Sequence, residues 1–187
     1  MPDMRFQHYD AQAARAQRET VALIHRDAYA DTLASGDPFE SHEAFMRRFD
    51  AHAKYPLLDL VIAYSGAESV GQTWGFPIAK PTIAEPPADL TEADEPSESA
   101  HDDGEQIFAL AEIMVRKAWT GQGIAHTLHN ELLATRAERC AELYVRPDNT
   151  TAYRAYLKWG WRRVGETRPD MPDAPLFDVL ILPLPIA

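Results

Sequence analysis

The chain carries one cysteine, Cys140, in 187 residues. That excludes an intrachain disulfide and any metal site built from cysteine clusters, and it agrees with a reducing compartment. No apolar run comes near the roughly 20 residues that a membrane span requires, and the stretch Met1-Pro2-Asp3-Met4-Arg5-Phe6 lacks the basic start and apolar core of a secretory signal. The expectation is a soluble cytoplasmic protein with no membrane partner. Basic residues are also scarce, 18 Lys and Arg against 29 Asp and Glu, for a net charge of -11. Nucleic acid is then a poor partner, because phosphate backbones are bound mainly by clustered Lys and Arg. Nothing in the chain indicates a metal.

The charge that is present is unevenly placed. Nine acids and no Lys or Arg fall between Pro81 and Glu105, so the remainder of the chain is close to neutral. This acidic, proline-bearing stretch cannot bury enough apolar surface to offset its ordering entropy and reads as a long loop. Apart from it, no internal repeat and no linker divides the sequence, which predicts one domain over residues 1–187.

Patterning predicts a strand at Phe6–Tyr9, a helical stretch over Gln12–Leu33 and a second helix opened by Asp37 as N-cap, with Pro38 first and Glu40 at capping-box spacing. Phe45, Met46 and Phe49 give that helix an apolar side. Leu57–Tyr64 and Val70–Ile78, separated by Ser65-Gly66-Ala67, read as a hairpin. After the acidic stretch come strand Gln106–Val115, helix Gly123–Arg139, strand Leu143–Val145, helix Thr150–Trp159 ended by Gly160, and strands Trp161–Glu166 and Phe177–Leu182. The order is mixed α/β.

The chemistry concentrates in Glu112-Ile113-Met114-Val115-Arg116-Lys117-Ala118-Trp119-Thr120-Gly121-Gln122-Gly123-Ile124-Ala125, a strand feeding a glycine loop that opens a helix. Glycines remove side chains that would block close approach, and a helix's first turn leaves backbone N–H groups unpaired, a favourable place for phosphate. The Lys-Ser/Thr ending of a P-loop is absent, and His126 stands where a dinucleotide fingerprint would have its third glycine or alanine. Further on comes Asn149-Thr150-Thr151-Ala152-Tyr153-Arg154-Ala155-Tyr156, then Gly160-Trp161.

Taken together, Thr120-Gly121-Gln122-Gly123-Ile124-Ala125 and the Asn149 to Tyr156 helix resemble the two signature segments of the GNAT superfamily of acetyl-CoA-dependent N-acetyltransferases. Thr120 stands where that pattern has Gln or Arg. The resemblance covers Phe108 to Glu166, and the acidic stretch is longer than that fold requires. It implies an α/β (α+β) fold with a mixed central sheet of about six to seven strands flanked by about four helices. It also implies acetyl-CoA as co-substrate.

For individual residues the resemblance implies that the backbone at Met114 and Val115 holds the pantetheine arm and the acetyl carbonyl, where ordinary ladder pairing is the alternative. Thr120, Gly121 and the amides of Gln122, Gly123, Ile124 and Ala125 would take the pyrophosphate. Tyr156 resembles the family's general acid, yet Ala152, Ala155, Tyr156 and Trp159 also share the spacing of a core stripe. Asn149 serves either the cofactor arm or the cap of the helix that follows.

A protonated amine cannot attack, so a base is needed. Glu112 is the candidate, on the strand face opposite Val115, and a solvated or ion-paired carboxylate is its alternative. His126 and His129 are expected to face solvent or phosphate. Cys140, placed at a helix end, is expected to be a structural thiol. Trp74, Phe76, Tyr29 and Phe45 are either acceptor-pocket walls or core and stay unassigned. The expected activity is acetyl transfer to a primary amine of a small molecule in a ternary complex, and a homodimer is compatible with it. A non-catalytic acyl-CoA sensor, or a protein or peptide N-acetyltransferase, stands as the alternative.

Overall fold

The computed structural model describes residues 4–83 and 107–186. The acidic stretch therefore lies, beyond Ile83, outside the described residues. The chain divides into two compact units, Met1–Phe76 with Ala111–Leu132, and Pro77–Leu110 with Leu133–Ala187.

The first unit starts with β1 (Met4–Asp10), whose last residue caps α1 (Ala11–Ala16) by accepting from Ala13 N at 2.8 Å. The helix expected over Gln12–Leu33 is three helices instead, α1, α2 (Arg18–Ala28) and α3 (Ala30–Ser35). The chain leaves helical geometry at Gln17 and Tyr29, with ψ near zero at both, but Val21 N still bonds Gln17 O and Leu33 N still bonds Tyr29 O. Helical spacing therefore survives the bends, and Ala14, Val21 and Ile24 are all buried.

The next helix, α4 (His42–His52), begins later than expected. Ser41 is its N-cap, accepting from Ala44 N at 3.2 Å, while the Asp37 carboxylate accepts from Phe39 N and closes a separate turn. A short acid bonding two residues onward competes with capping, which is why the Asp37-Pro38 signal misplaces the start. The Phe45, Met46 and Phe49 side is buried as expected.

Strands β2 (Asp59–Ser65) and β3 (Glu68–Ile78) form the antiparallel hairpin, with a bulge between Ala63 and Tyr64. β1 pairs antiparallel with β2 from Met4↔Ser65 to Asp10↔Asp59. Leu60 to Ala63 are buried at every position, as in a strand covered on both faces. β4 (Ile107–Val115) follows β3 in the sheet, with Arg116 N bonding Val70 O at 2.8 Å. Past a 3-10 turn at Lys117–Trp119, α5 (Ile124–Leu133) buries Ile124, Leu128 and Leu132.

The second unit holds the start of β4, then β5 (Cys140–Val145), α6 (Thr150–Lys158), β6 (Arg162–Thr167) and β7 (Phe177–Pro183), in the strand order β4-β5-β7-β6. β4 and β5 are parallel, and their ladder covers only Ile107↔Cys140 to Ala109↔Glu142, although both strands run on. α5 stops at Leu133 rather than Arg139, because residues 134–139 turn the chain toward β5. Arg136 lies over the Phe108 ring, 4.2 Å from its centroid, and Arg139 O accepts from Leu184 N. Strand pairing thus starts at Cys140, three residues before the expected Leu143, and Cys140 opens a strand instead of ending a helix. Seven strands and six α-helices are present among the described residues, in the mixed α/β arrangement expected; the two bends in the first helical stretch account for the extra helices.

Candidate active site

β4 alternates as the sequence requires. Val115 turns toward α5: a methyl group built on Gly71 would meet Val115 Cγ2 at 3.3 Å and Leu128 Cδ1 at 3.1 Å. Met114 turns the other way, and its Sδ lies 3.3 Å from Gln72 Nε2, which also donates to Val21 O of α2. Glu112 has the parity of Met114, and its backbone carbonyl accepts from Thr73 Oγ1 at 2.8 Å.

The Glu112 side chain sits in a half-buried setting whose nearby charges are Arg48 of α4 and Glu40. Burial pushes its carboxyl up to about 7, and the Arg48 guanidinium pulls back without reversing the shift. Such a carboxyl exchanges its proton near neutral pH. Two histidines of the same unit go the opposite way: burial holds His25 and His52 down at about 4, with Arg48 adding to both shifts. His52 Nδ1 accepts from Trp74 Nε1 at 3.2 Å, and His25 stacks on Phe45 with centroids 3.7 Å apart. Trp74, Phe76 and Phe45 are buried, which fits the core reading of those aromatics, while Tyr29 stacks on His25.

The loop after β4 is shaped by its backbone. Gly121 and Gly123 have φ of 76° and 82°, in the left-handed region where an L side chain costs about 1–2 kcal/mol. No atom lies within 4 Å of a methyl group built on either, so the space beside the loop is open. Thr120 Oγ1 donates to Lys117 O at 2.9 Å and Gln122 Nε2 to Ala118 O at 3.3 Å, so both side chains tie down the preceding turn. Ile124 is buried and seats the start of α5, whose opening N–H groups have no intrahelical acceptor. The turn itself is held by Asp27, which accepts from Lys117 N at 2.8 Å and from Arg116 Nη2 at 3.2 Å, while Arg116 Nη1 also donates to Glu68. The sequence alone did not single out Asp27, Arg116 or Arg48, since each acts across long sequence separations that no local pattern encodes.

In the second unit, Asn149 caps α6 by accepting from Ala152 N at 3.3 Å. Tyr156 is the buried residue of α6, in edge contact with Trp159 and Trp161. Burial raises the Cys140 thiol above its usual range. His126 is exposed, but His129 is 1% exposed and its ring shares a hydrogen bond with Asn130, which corrects the expectation that it faces solvent or phosphate. The helical period puts position 129 beside Leu128 and Leu132 on the inner side of α5.

A profile of the acetyltransferase (GNAT) family matches residues 25–161, well over half of the chain. The chain belongs to the GNAT acetyltransferase family. GNAT structures also share its fold. An acetyltransferase from Thermus thermophilus superposes with a TM-score of 0.66 at 14% identity, covering 97% of each chain. The PaiA N-acetyltransferase of Thermoplasma acidophilum, solved with coenzyme A, gives 0.58 at 12% identity over 97% of this chain and 99% of its own. YncA, a putative acetyltransferase from Salmonella typhimurium solved with acetyl-CoA, gives 0.60 at 10% identity over 98% and 95%. No curated protein matches the sequence. The loop of this GNAT chain fits a diphosphate, since open space, two left-handed glycines and unpaired helix-start amides occur together. No helix among the described residues is long and apolar enough to cross a membrane, and no group of three or more His, Cys, Asp or Glu there could hold a metal ion.

Proposed function

We propose that the chain is an N-acetyltransferase that moves the acetyl group of acetyl-CoA to a primary amine of a small molecule, by direct attack in a ternary complex. The observation that carries this reading is Glu112, a carboxyl on the expected strand face, pushed up to about 7 by burial. A general base works best with a pKa near the working pH, because it is then both ionised and basic enough to matter.

The amides of Gln122, Gly123, Ile124 and Ala125 hold the diphosphate of the bound co-substrate, with Gly121 and Thr120 shaping the approach. The backbone at Met114 and Val115 holds the pantetheine arm, and an N–H there stabilises charge developing on the acetyl oxygen. Asn149 commits its side-chain oxygen to the α6 cap and offers its NH₂ to the arm. Acetyl-CoA supplies an acyl group already activated as a thioester. Glu112 removes the proton that keeps the amine from attacking, the new C–N bond replaces the C–S bond, Tyr156 gives a proton to the departing sulfur, and the second proton, shed by the nitrogen as the amide forms, passes through water to restore Tyr156. The raised pKa of Cys140 disfavours its thiolate, which supports direct attack over an acyl-cysteine route.

The test is thiol release from acetyl-CoA across a panel of primary, secondary and tertiary amines, with coenzyme A affinity measured by calorimetry. Release with primary amines, reduced about 10²-fold or more in Glu112→Gln with affinity retained, is expected. Tight coenzyme A binding without release for any amine would favour the sensor reading.

A further inference from the structure

Arg18 is paired with Asp50, Arg116 with Asp27 and Glu68, and Lys117 with Asp31. Arg5, Arg15, Arg26, Arg47 and Lys54 of the first unit are exposed and make no ion pair among the described residues; Arg48, on α4, makes none either, but it is half-buried. Its Nη1 donates to Phe39 O at 2.8 Å and its guanidinium lies over the Phe39 ring, 4.4 Å from the centroid. Those two contacts fix the guanidinium plane and neutralise none of its charge. No nitrogen of Arg48 is both buried and unpartnered, so its remaining N–H groups reach solvent.

Glu40, which follows Phe39 in the chain and whose charge also acts on Glu112, makes no ion pair with Arg48. His25 and His52 feel its field and stay neutral at physiological pH, and Glu112 feels it as well. His52 and Phe49 of α4 pack on Trp74, which shares its face of β3 with Gln72, the partner of Met114 Sδ, so α4 lies on the side of the sheet to which the parity of β4 turns Glu112. A held guanidinium without an ion pair therefore lies on the same side as the carboxyl proposed to handle the amine. Fork geometry suits a carboxylate, which it can bind through two parallel hydrogen bonds.

Building on the acetyl-transfer reading, we propose that Arg48 is the acceptor's anion site and that the acceptor is an amino acid or similar small molecule bearing both a primary amine and a carboxylate. Glu112 receives the amine's proton, and Arg48 pairs with the carboxylate a few bonds away. The half-buried setting strengthens that pairing relative to water and lets it orient the amine.

The experiment compares kcat/KM for matched pairs of amines with and without the carboxylate, such as phenylalanine against 2-phenylethylamine and lysine against cadaverine, in the full chain and in Arg48→Gln and Arg48→Lys. The expected result is a preference for the carboxylate-bearing member in the unmodified protein. That preference falls about tenfold to hundredfold in Arg48→Gln, the effect of losing a hydrogen-bonded charge partner. Arg48→Lys keeps the charge without the fork and recovers part of the preference. A preference that survives Arg48→Gln, or no preference in the unmodified protein, overturns the Arg48 assignment and leaves acetyl transfer standing. Absence of thiol release with every amine, while coenzyme A still binds, overturns both.

Discussion

The backbone N–H of Lys117 donates to Oδ1 of Asp27 at 2.8 Å, joining α2 to the turn that presents the glycine loop. The other oxygen of the same carboxylate accepts from Arg116 Nη2, so one acid holds two consecutive residues at the end of β4. Asp27→Ala removes both contacts and leaves Arg116, whose Nε is already buried without a partner, less well satisfied. Asp27 and Arg116 are each about one-third exposed, which limits the loss to about 1 kcal/mol. The expected outcome is a small drop in urea midpoint and a several-fold weaker coenzyme A affinity by calorimetry. Affinity equal to the unmodified protein would show that this tie does not shape the loop.

Gly123 tests the loop more directly. At φ of 82° an alanine is strained by about 1–2 kcal/mol, although no atom would be struck. Gly123→Ala should therefore cost stability while weakening coenzyme A modestly. Gly123→Glu adds bulk and negative charge where a diphosphate is expected and should abolish binding while a folded circular dichroism spectrum is retained. Normal calorimetric binding by the glutamate variant would contradict the diphosphate assignment.

How much of this was visible in the chain depends on how local each signal is. The β4 strand, the glycine loop and the α6 segment were legible because each is a short pattern: alternation, closely spaced glycines ahead of a helix, a polar cap before an apolar stripe. The start of α4 was misread because Asp37 and Ser41 both qualify as caps, and the choice between them is made by the turn that Asp37 closes with Phe39. The early end of α5 was hidden because residues 134–139 have acceptable helix propensity, and the Phe108 ring and the Leu184 N–H that engage them come from distant segments. Within the site, Glu112 could be placed on its face by counting, but the burial that raises its pKa and the Arg48 that opposes the rise both depend on tertiary packing.

Gly71 marks where the sheet leaves little room for a side chain. A methyl there would lie 3.0 Å from Met114 O, a backbone atom that cannot swing away, and 3.1 Å from Leu128 Cδ1. Gly71→Ala is expected to destabilise by about 1–3 kcal/mol, the usual cost of overpacking, and to disturb the strand proposed to hold the acetyl group. Chemical denaturation and the KM for acetyl-CoA should both worsen; a stable variant with an unchanged KM would mean that β3 and β4 separate there without consequence.

Tyr156→Phe separates the acid role from packing. The edge contacts with Trp159 and Trp161 are made by the ring, which phenylalanine retains, so the melting temperature should move little. If the hydroxyl returns the proton to sulfur, turnover falls by about 10²-fold or less, since a thiol of pKa about 8.5 is already a fair leaving group. Unaltered turnover would leave Tyr156 a core residue.

Glu112 couples activity to stability through one proton. Its folded pKa of about 7 lies above its ordinary value of 4.5, so between those values the folded chain binds a proton that the unfolded chain has released. The contribution of Glu112 to stability is then fully present below the ordinary value and falls as pH rises through 7, the reverse of a salt-bridged carboxylate such as Asp50. Glu112→Gln removes the penalty of ionising a buried carboxyl, and at pH 8 the variant should be more stable than the unmodified protein by on the order of 1–3 kcal/mol, with the gain vanishing near pH 4. Turnover should run the other way: in the unmodified protein kcat rises with pH through an apparent pKa near 7, and in the variant that rise is lost. Urea titrations at pH 4 and 8, set beside the kcat profile, measure both. A gain in stability that is the same at both pH values would show that Glu112 is not held protonated by burial, and the case for it as the base would go with that result.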